Sequence, residues 1–418
     1  MANSVRYTIP RNEDERCAPE GQPGRGGASG DALARELSGL TVATVTSAAE
    51  LHDLRADYEQ LNRESSLALP FTLHEWHCAW CEHFLATSSA IEDSLLVYVV
   101  RTAAGRCVGI VPMILTRRSV GPCRVSSLSL LGADQALTEI RMPLIAAEFH
   151  SEVARVIQRQ LATIDRWDWI QWMGATPAFG RGLAVSADLR WQRALMDYVL
   201  DLPDAWDSFH KNLKRNIRES LRHCYNSLKR DKLEFSLAVL ERPEDIQAGL
   251  DRFLRLHAMR ARMEGSIAHP DHFATASAQA FLRDICARLA ARNITRVFEL
   301  IVDGKVVATR IGFLMGDTLY LYYSGFDTAW ARYSVMTTTL AEIIKFAIAN
   351  GVRTINLSPG TDVGKTRWGP RVVPIAQLLQ VGPRFRSRAA RAAYEFSSSE
   401  SRAGWLAKAL FASRRRWS

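Results

Sequence analysis

A short stretch near the C-terminus contains residue types that could bind a phosphate. Residues 354–370 read TINLSPGTDVGKTRWGP, and GTDVGKT within them almost matches the phosphate-binding loop of nucleotide hydrolases. That loop requires four residues between its first glycine and the Gly-Lys-Thr, and only three separate Gly360 from Gly364. A helix must also start at the lysine, and Pro370 follows too soon for one to continue. The stretch is therefore not predicted to bind ATP, and Lys365 needs another role.

Length and composition indicate a large core divided among two or three domains. The chain has 418 residues, of which 47% are hydrophobic. No apolar run reaches the roughly 18 to 20 residues that span a bilayer, and the N-terminus lacks the apolar core of a signal peptide. The seven cysteines are an odd number scattered along the chain, which fits a reducing compartment. The sequence therefore predicts a cytoplasmic protein.

Two cysteines and two histidines lie together in the segment LHEWHCAWCEHFL. Cys78 and Cys81 form a C-A-W-C pair, but no second pair of ligands follows at zinc spacing. His74 and His77 lie on the same predicted helix, and one short helix cannot bring all four side chains to one ion. We therefore expect buried thiols and no metal.

The positive charge is concentrated at the C-terminus. The net charge is +9, and residues 384–418 hold nine Lys or Arg against two Glu, so this segment accounts for +7 and the remainder for +2. The folded part of the chain is therefore not predicted to bind nucleic acid in general. The basic tail, which includes aromatic residues, either contacts an anionic membrane or a partner protein, or is simply solvated.

The chain contains an internal repeat of predicted elements. Residues 95–118 and 296–317 each read as two apolar strands joined by a turn with Gly and a basic residue. In both copies a third strand, a helix and a fourth strand follow, which indicates a tandem duplication. The predicted domains are a disordered segment at 1–38, a first domain at 39–180, a linker at 181–205, a second domain at 206–382 and a basic tail at 383–418.

This pattern, together with four local segments, resembles the GNAT acyltransferases. The segments are HKNLKRNIRES, VDGKVVA, YYSGFDTAWARYSV and NLSPGTDVGKTRWG, all in the second copy. The chain is similar to the BioF2-like, CelD-type branch of that superfamily, which is related to the FemABX aminoacyltransferases. The resemblance implies an α/β (α+β) protein with tandem GNAT-like domains, each a mixed, mostly antiparallel sheet flanked by helices. It also implies acetyl-CoA or another acyl-CoA as co-substrate, and a catalytic second copy beside a degenerate first one.

In the last of these segments, members of the family show an acidic residue, a glycine, and a Tyr-Lys before a tryptophan. Here Asn356 stands where the acid is usual, and Lys365 and Trp368 match the lysine and the tryptophan. The resemblance therefore makes Lys365 a catalytic candidate, and Asn356 and Trp368 substrate-binding candidates. Arg260 and Arg262, in HAMRARMEG, match an arginine-bearing helix of the family that would hold an anionic acceptor.

The donor's phosphates require a helix N-terminus, and the matching place is the turn that enters a helix near Ser334. In GNAT enzymes this turn is rich in glycine, whereas here it reads WARYSV, without any. The predicted cofactor-binding residues are Arg332, Tyr333, Ser334 and Val335, with Arg332 supplying the charge.

Acyl transfer also needs a base for the nucleophile and a proton for the leaving group. In the strand TLYLYYSG, alternation places Tyr320 and Tyr322 on one side and Tyr323 on the other. Tyr322 or Tyr323 is a candidate to protonate the leaving thiolate. Glu299, an isolated acid in RVFELIV, is a candidate base if it is buried.

Two alternatives remain open for the donor and the role. The segment 210–232 predicts one amphipathic helix with Lys211, Lys214, Arg215, Arg218 and Arg222 on one face and leucines and an isoleucine on the other. Such a stripe is either a solvated face or a contact with the phosphates of an acyl carrier, or of a tRNA if aminoacyl-tRNA is the donor. Otherwise the chain is a non-catalytic accessory of a polysaccharide synthase, docked at the inner face of the membrane through its tail. The acceptor is expected to be a small molecule or an envelope glycan, as in exopolysaccharide or cellulose assembly.

Overall fold

The computed structural model describes residues 39–65, 69–85, 88, 91–120, 123–132, 136–164, 167–183, 189–263 and 269–398. The segment 1–38, predicted to be disordered, and the tail beyond residue 398 lie outside these ranges. Among the described helices, none is both long and apolar enough to cross a membrane.

The first half of the chain forms six strands and five helices within the described residues. The strands are β1 (Thr41–Val45), β2 (Ile91–Arg101), β3 (Cys107–Val120), β4 (Cys123–Leu130), β5 (Leu144–Ile145) and β6 (Trp169–Met173). The helices are α1 (Ala48–His52), α2 (Arg55–Glu64), α3 (His74–Phe84), α4 (His150–Ala162) and α5 (Pro177–Leu183).

The second half repeats this pattern with additional helices. Its strands are β7 (Leu189–Asp201), β8 (Phe235–Leu240), β9 (Thr295–Val302), β10 (Lys305–Met315), β11 (Thr318–Phe326), β12 (Thr354–Asn356) and β13 (Arg371–Val381). Its helices are α6 (Trp206–Asn212), α7 (Arg215–Arg230), α8 (Pro243–Ala261), α9 (Ala276–Ala290), α10 (Val335–Ala349), α11 (Val363–Thr366) and α12 (Phe385–Ser398).

The predicted duplication is visible in the sheet. The described strands form one mixed sheet in the order β1-β2-β3-β4-β6-β13-β7-β12-β11-β10-β9-β8, with β5 beside β3. In each half three antiparallel strands lead through a helix to a short parallel strand, β6 beside β4 and β12 beside β11. Two parallel neighbouring strands need a crossover connection. Helix α4 lies in the connection from β4 to β6, and α10 lies in the connection from β11 to β12. The two halves are therefore copies of one topology.

The long strand β7 corrects the predicted linker. Residues 181–205 were expected to connect two separate domains, but β7 pairs with β12 and, along most of its length, with β13. β13 in turn pairs with β6 of the first half. The last strand of the second half thus lies beside the last strand of the first half, and the sheet continues across the predicted boundary. Half of β7 is exposed, which explains why its sequence lacks the apolar pattern of a central strand.

The predicted amphipathic helix at 210–232 is two helices, α6 and α7, which meet at an extended Leu213 and Lys214. The predicted burial is confirmed, since Ile217, Leu221 and Leu228 are no more than 2% exposed and pack in the cores beneath α7. The basic side chains point outward, as the periodicity predicts.

Candidate active site

A cleft opens where β11 and β12 part. The two strands pair only from Thr318 to Tyr320 with Thr354 to Asn356, and beyond these residues they diverge. The first turns of α10 border the cleft, whose volume is about 520 Å³. Its polar and charged lining comes from both halves of the chain: Glu139, Arg260, His269, His272, Arg310, Tyr323, Asp362 and Lys365.

A β-bulge gathers the tyrosines of β11 and corrects the predicted alternation. The pairing of β10 with β11 shifts between Arg310 and Gly312, so that two residues of β11, Tyr322 and Tyr323, oppose one of β10. Their rings lie 4.5 Å apart, centroid to centroid, instead of on opposite faces. The hydroxyl of Tyr322 donates to the Leu137 carbonyl at 2.5 Å, and that of Tyr323 donates to the Ala136 carbonyl at 3.1 Å. Both tyrosines therefore hold a segment of the first half against the second.

That segment carries Glu139 into the cleft. The hydroxyl of Tyr320 donates a 2.7 Å hydrogen bond to Oε2 of Glu139. Burial raises the pKa of Glu139 to about 7, and this hydrogen bond and the positive charge of Lys365 oppose the shift only in part. Glu139 is thus a carboxyl group that can take up or release a proton near neutral pH.

Lys365 lines the same cleft and lies in the short helix α11. Asp362 caps this turn through a hydrogen bond from the Gly364 amide. Nζ of Lys365 donates to the Ser358 carbonyl at 3.2 Å, to the Ser358 hydroxyl at 3.0 Å and to the Pro359 carbonyl at 2.7 Å. Burial lowers the pKa of Lys365 to about 8, while the Glu139 carboxylate acts in the opposite direction. The lysine therefore both fastens the loop and places a positive charge at the cleft.

Asn356 has a carboxylate partner from the segment predicted to be a linker. Nδ2 of Asn356 donates to Oδ2 of Asp197 at 2.7 Å, and Oδ1 accepts from the Ser358 amide at 2.7 Å. Asp197 lies on β7, is 1% exposed, and has a pKa raised by burial. Asn356 is buried and does not border the cleft. This position does not favour the predicted contact with a substrate.

The turn before α10 lies where the sequence predicts it. Residues Thr328–Tyr333 form a 3-10 turn, and Ser334 precedes α10 with a φ of 52°. In this left-handed conformation its hydroxyl makes no capping hydrogen bond to the helix. Tyr333 is buried and donates to Asp231, and Arg332 lies over the Tyr333 ring. Arg332 is therefore already engaged in the turn, and the cleft is lined by the next residues, Met336 and Thr337.

Two of the four predicted substrate-binding residues border the cleft. Arg260 donates to the Ser324 hydroxyl at 2.8 Å and contacts the His269 ring. Trp368 is 4% exposed and forms part of the wall. Arg262, two residues beyond Arg260, is exposed and lies outside the cleft lining.

Glu299 is not part of the cleft, which corrects its assignment as a base. It is 3% exposed on β9, and both of its carboxylate oxygens accept hydrogen bonds from Arg252, at 2.6 and 3.0 Å. A bidentate arginine stabilises the charged carboxylate, which makes it a structural ion pair. The isolated acid of this apolar strand is thus explained by a salt bridge to Arg252 of helix α8 and not by a catalytic role.

Three potential metal ligands lie together outside the cleft. Among the described residues, ligand atoms of His52, His74 and Cys78 all lie within 4.8 Å of one another. The sequence reasoning considered four residues of one helix and missed His52, which the end of α1 brings to α3. His77 points to the hydroxyl of Tyr58 instead, with its Nδ1 at 2.8 Å from that oxygen.

Sequence reasoning missed Glu139, Asp197 and Arg310. Asp197 and Arg310 each interrupt an apolar strand, in ALMDYVL and VVATRIGFL, and an isolated charge in a buried strand is a usable signal. Glu139 lies in the irregular segment ALTEIRMP and has no such signal, because a contact between distant segments places it in the cleft.

Comparisons with known proteins show what the chain is similar to. Residues 212–366 match a family described as an acetyltransferase (GNAT) domain. The structure is similar to that of FemX, with 10% sequence identity over 82% of this chain and 97% of that one and a TM-score of 0.52. A C-terminal domain of a lysylphosphatidylglycerol synthetase from Agrobacterium fabrum matches with 14% identity over 85% of this chain and 99% of that one, with a TM-score of 0.48.

A tandem GNAT protein from the clavulanic acid biosynthesis pathway matches with 11% identity over 82% of this chain and all of that one, with a TM-score of 0.39. A search of curated protein sequences found no significant match. The family match places a GNAT-type domain in the second half of the chain, and the repeated topology of the two halves gives a tandem GNAT-like fold around one mixed sheet flanked by helices.

Proposed function

We propose that the protein transfers an acyl group from acetyl-CoA or a longer acyl-CoA to an amine or hydroxyl of an acceptor. The observation that carries this proposal is the carboxyl group of Glu139, which has a pKa near neutrality and borders the cleft together with Lys365. A general base works best when its pKa lies near the working pH. The GNAT-type domain supports the same chemistry.

In the proposed reaction Glu139 is the general base. The acceptor nitrogen or oxygen attacks the thioester carbonyl and gives its proton to Glu139 as the new C–N or C–O bond forms. The C–S bond breaks and CoA leaves as a thiolate. Glu139 then loses its proton to solvent, and the thiolate takes up a proton from solvent. The positive charge of Lys365 stabilises the negative charge that develops on the thioester oxygen. Tyr322 and Tyr323, whose hydroxyls donate to backbone carbonyls, act as positioning residues for the Glu139 segment.

The N-terminus of α10 is the proposed site for the phosphates of the donor. The first amides of a helix lack partners within the helix, and its dipole favours an anion. The turn before α10 has no glycine. The phosphates that accept hydrogen bonds from its backbone amides must therefore fit beside the side chains of Tyr333 and Arg332. Arg332 is exposed and can move from the Tyr333 ring to a phosphate.

The experiment that tests the proposal measures release of free CoA thiol from acyl-CoAs in the presence of a panel of amines and alcohols. We expect an acceptor-dependent rate that falls by about 100-fold or more in Glu139→Gln. Glu92→Gln is the matched control, because Glu92 lies outside the cleft lining and forms a partly exposed ion pair with Arg117. No acceptor-dependent release with any acyl-CoA, or equal loss in both variants, would contradict the proposal.

A second candidate function is aminoacyl transfer from aminoacyl-tRNA, and one surface favours it. Lys211, Lys214, Arg215 and Arg222 are exposed along α6 and α7. Arg367 donates to the Ser220 hydroxyl at 2.5 Å, which joins this surface to the Lys365 loop. If tRNA is the donor, its binding should weaken steeply with salt and be lost when these four charges are replaced by glutamine. Tight tRNA binding that survives the replacement would argue against this candidate.

We also propose that the chain belongs to the BioF2-like, CelD-type branch and acts on a small molecule or an envelope glycan at the inner face of the membrane. Phe385 opens α12 with 86% of its surface exposed, beside Arg384 and Arg386. An exposed aromatic residue among arginines is typical of a surface that contacts anionic lipid. If the chain is instead a non-catalytic accessory protein, the same surface would bind to the membrane-bound polysaccharide synthase. Sedimentation with anionic vesicles that survives truncation after Pro383 would contradict both roles of this segment.

A further inference from the structure

Arg310 is a buried arginine for which the described part of the chain supplies no ionic partner. It lies on β10, opposite Ser324 of β11, borders the cleft and is 8% exposed. Within the ranges that the structure describes, no carboxylate lies at ion-pair distance from its guanidinium, and Nε has no hydrogen-bond partner. A buried charge normally has a partner, because removing it from water is costly.

The surroundings of Arg310 contain more positive than negative charge. The cations of the cleft lining are Arg260, Arg310 and Lys365, and its acids are Glu139 and Asp362. Burial and the neighbouring charge of Arg260 lower the pKa of Arg310 to about 10, against the opposing effect of Glu139. The guanidinium of Arg260 is already bonded to Ser324 and contacts His269. The charges of Glu139 and Asp362 act on Arg310, but among the described residues neither carboxylate lies within ion-pair distance of its guanidinium.

We infer that Arg310, supported by Arg260, binds an oxyanion of the acceptor substrate, either a carboxylate or a phosphate. Guanidinium groups bind both through two parallel N–H donors, and a bound anion would supply the missing partner. The inference rests on the proposed function in one respect, the assignment of the oxyanion to the acceptor. Arg310 acts electrostatically on Glu139, the proposed base for the acceptor nucleophile, whereas the donor phosphates are assigned to α10. The acceptor would therefore be an amine or alcohol that also carries an acidic group.

The first test measures anion binding without any acyl-CoA, by thermal unfolding of the full chain. Melting temperatures are compared in sodium chloride, acetate and phosphate at one pH and one ionic strength. A ligand that binds only the folded state raises its melting temperature. We expect acetate or phosphate to raise it in the wild type and to have a smaller effect in Arg310→Met. General effects of salt on stability are the same for the wild type and Arg310→Met. The quantity that tests the inference is therefore the difference between the two proteins in the rise of melting temperature.

Arg296→Met is the matched control. Arg296 is also buried, at 4% exposed on β9, but its Nη1 donates to the carbonyls of Asn293 and Thr295, and Glu241 lies 3.0 Å from its Nε. In chloride, loss of this paired arginine should lower the melting temperature, whereas Arg310→Met should leave it unchanged or raise it. Arg296→Met should keep the anion-dependent rise. If Arg310→Met unfolds as early as the control, or keeps the full rise, Arg310 is structural and the inference is wrong.

The second test distinguishes the acceptor from the donor as the source of the oxyanion. Acetyl-CoA is titrated calorimetrically into Arg310→Met. An unchanged Kd assigns the oxyanion to the acceptor, and a Kd weakened by about tenfold or more assigns it to a phosphate of the donor and overturns the acceptor assignment. Since anion binding is measured without acyl-CoA, failure of the proposed transfer reaction leaves the first test intact.

Discussion

Burial shifts the pKa values of Glu139 and Lys365 in opposite directions, because one group is an acid and the other a base. Removal from water disfavours each charged form, which raises the pKa of the carboxyl group to about 7 and lowers that of the amine to about 8. Because the two groups interact, the observed pKa values belong to the pair. Over the interval between these values, a carboxylate that can accept a proton and an ammonium that can stabilise negative charge exist together.

The rate of acyl transfer should follow a bell-shaped curve with pH. It should rise through about pH 7, since Glu139 must lose its proton to act as a base, and fall above about pH 8, since Lys365 then loses its charge. The measurement is kcat/KM for thiol release as a function of pH. Lys365→Arg should remove the fall on the alkaline side. An acidic limb that persists in Glu139→Gln would show that another group is the base.

Tyr322 should affect catalysis through the segment that it holds. Replacing it with phenylalanine removes the hydrogen bond to the Leu137 carbonyl, which should cost about 1 kcal/mol of stability and lower kcat, because the Glu139 segment loses one of its anchors. Tyr225→Phe is the control, since its hydroxyl donates to Glu342 outside the cleft lining. An equal loss of stability in the two variants with an equal loss of kcat would contradict a specific role for Tyr322.

At the scale of elements, the approach of α8 to β11 positions one side of the cleft. A Cβ on Gly325 would lie 2.4 Å from the His257 amide nitrogen, so only glycine lets the helix lie this close to the strand. The same helix carries Arg260. The sequence shows Gly325 as part of a YYSG segment, but the neighbour that requires it is more than sixty positions away, which is why its role could not be predicted.

Gly325→Ala should displace α8 and weaken both the fold and the site. We expect a loss of roughly 1 to 3 kcal/mol or more in the free energy of unfolding, and a loss of activity, because the contact is with backbone atoms that cannot rotate away. Gly180→Ala in α5 is the control. Its nearest neighbour would be a Leu378 methyl group at 4.0 Å, so this variant should be as stable as the wild type or more so. Denaturant unfolding of both variants checks the prediction.

At the scale of the whole molecule, the two halves are joined through the strand β13. β13 pairs with β6 of the first half and with β7, so the last strand of the chain completes both halves. The sequence predicts the two copies well, because each strand and crossover helix has a local apolar pattern. It does not predict the pairing of β13 with β6, because pairing between distant strands leaves no mark in the sequence of either partner. For the same reason the exposed stretch of β7 reads as a linker.

The two halves should consequently unfold as one unit. Truncation after Pro370 removes β13 and leaves β6 and β7 without a shared neighbour, so both halves should become sensitive to protease. Truncation after Gly382 keeps β13 and should preserve resistance. Limited proteolysis with identification of the fragments distinguishes the outcomes. A protease-resistant first half in the shorter chain would show that the halves are independent domains.

The most direct test of the account is a calorimetric titration of the full chain with acetyl-CoA and longer acyl-CoAs, beside the Lys365→Ala variant. We expect micromolar binding to one site in the wild type and at least tenfold weaker binding in the variant, since Lys365 both fastens the loop and supplies charge at the cleft. If no acyl-CoA bound to the wild-type chain, the glycine-free turn before α10 would exclude this donor, and the assignment of the cleft to acyl-CoA would be wrong.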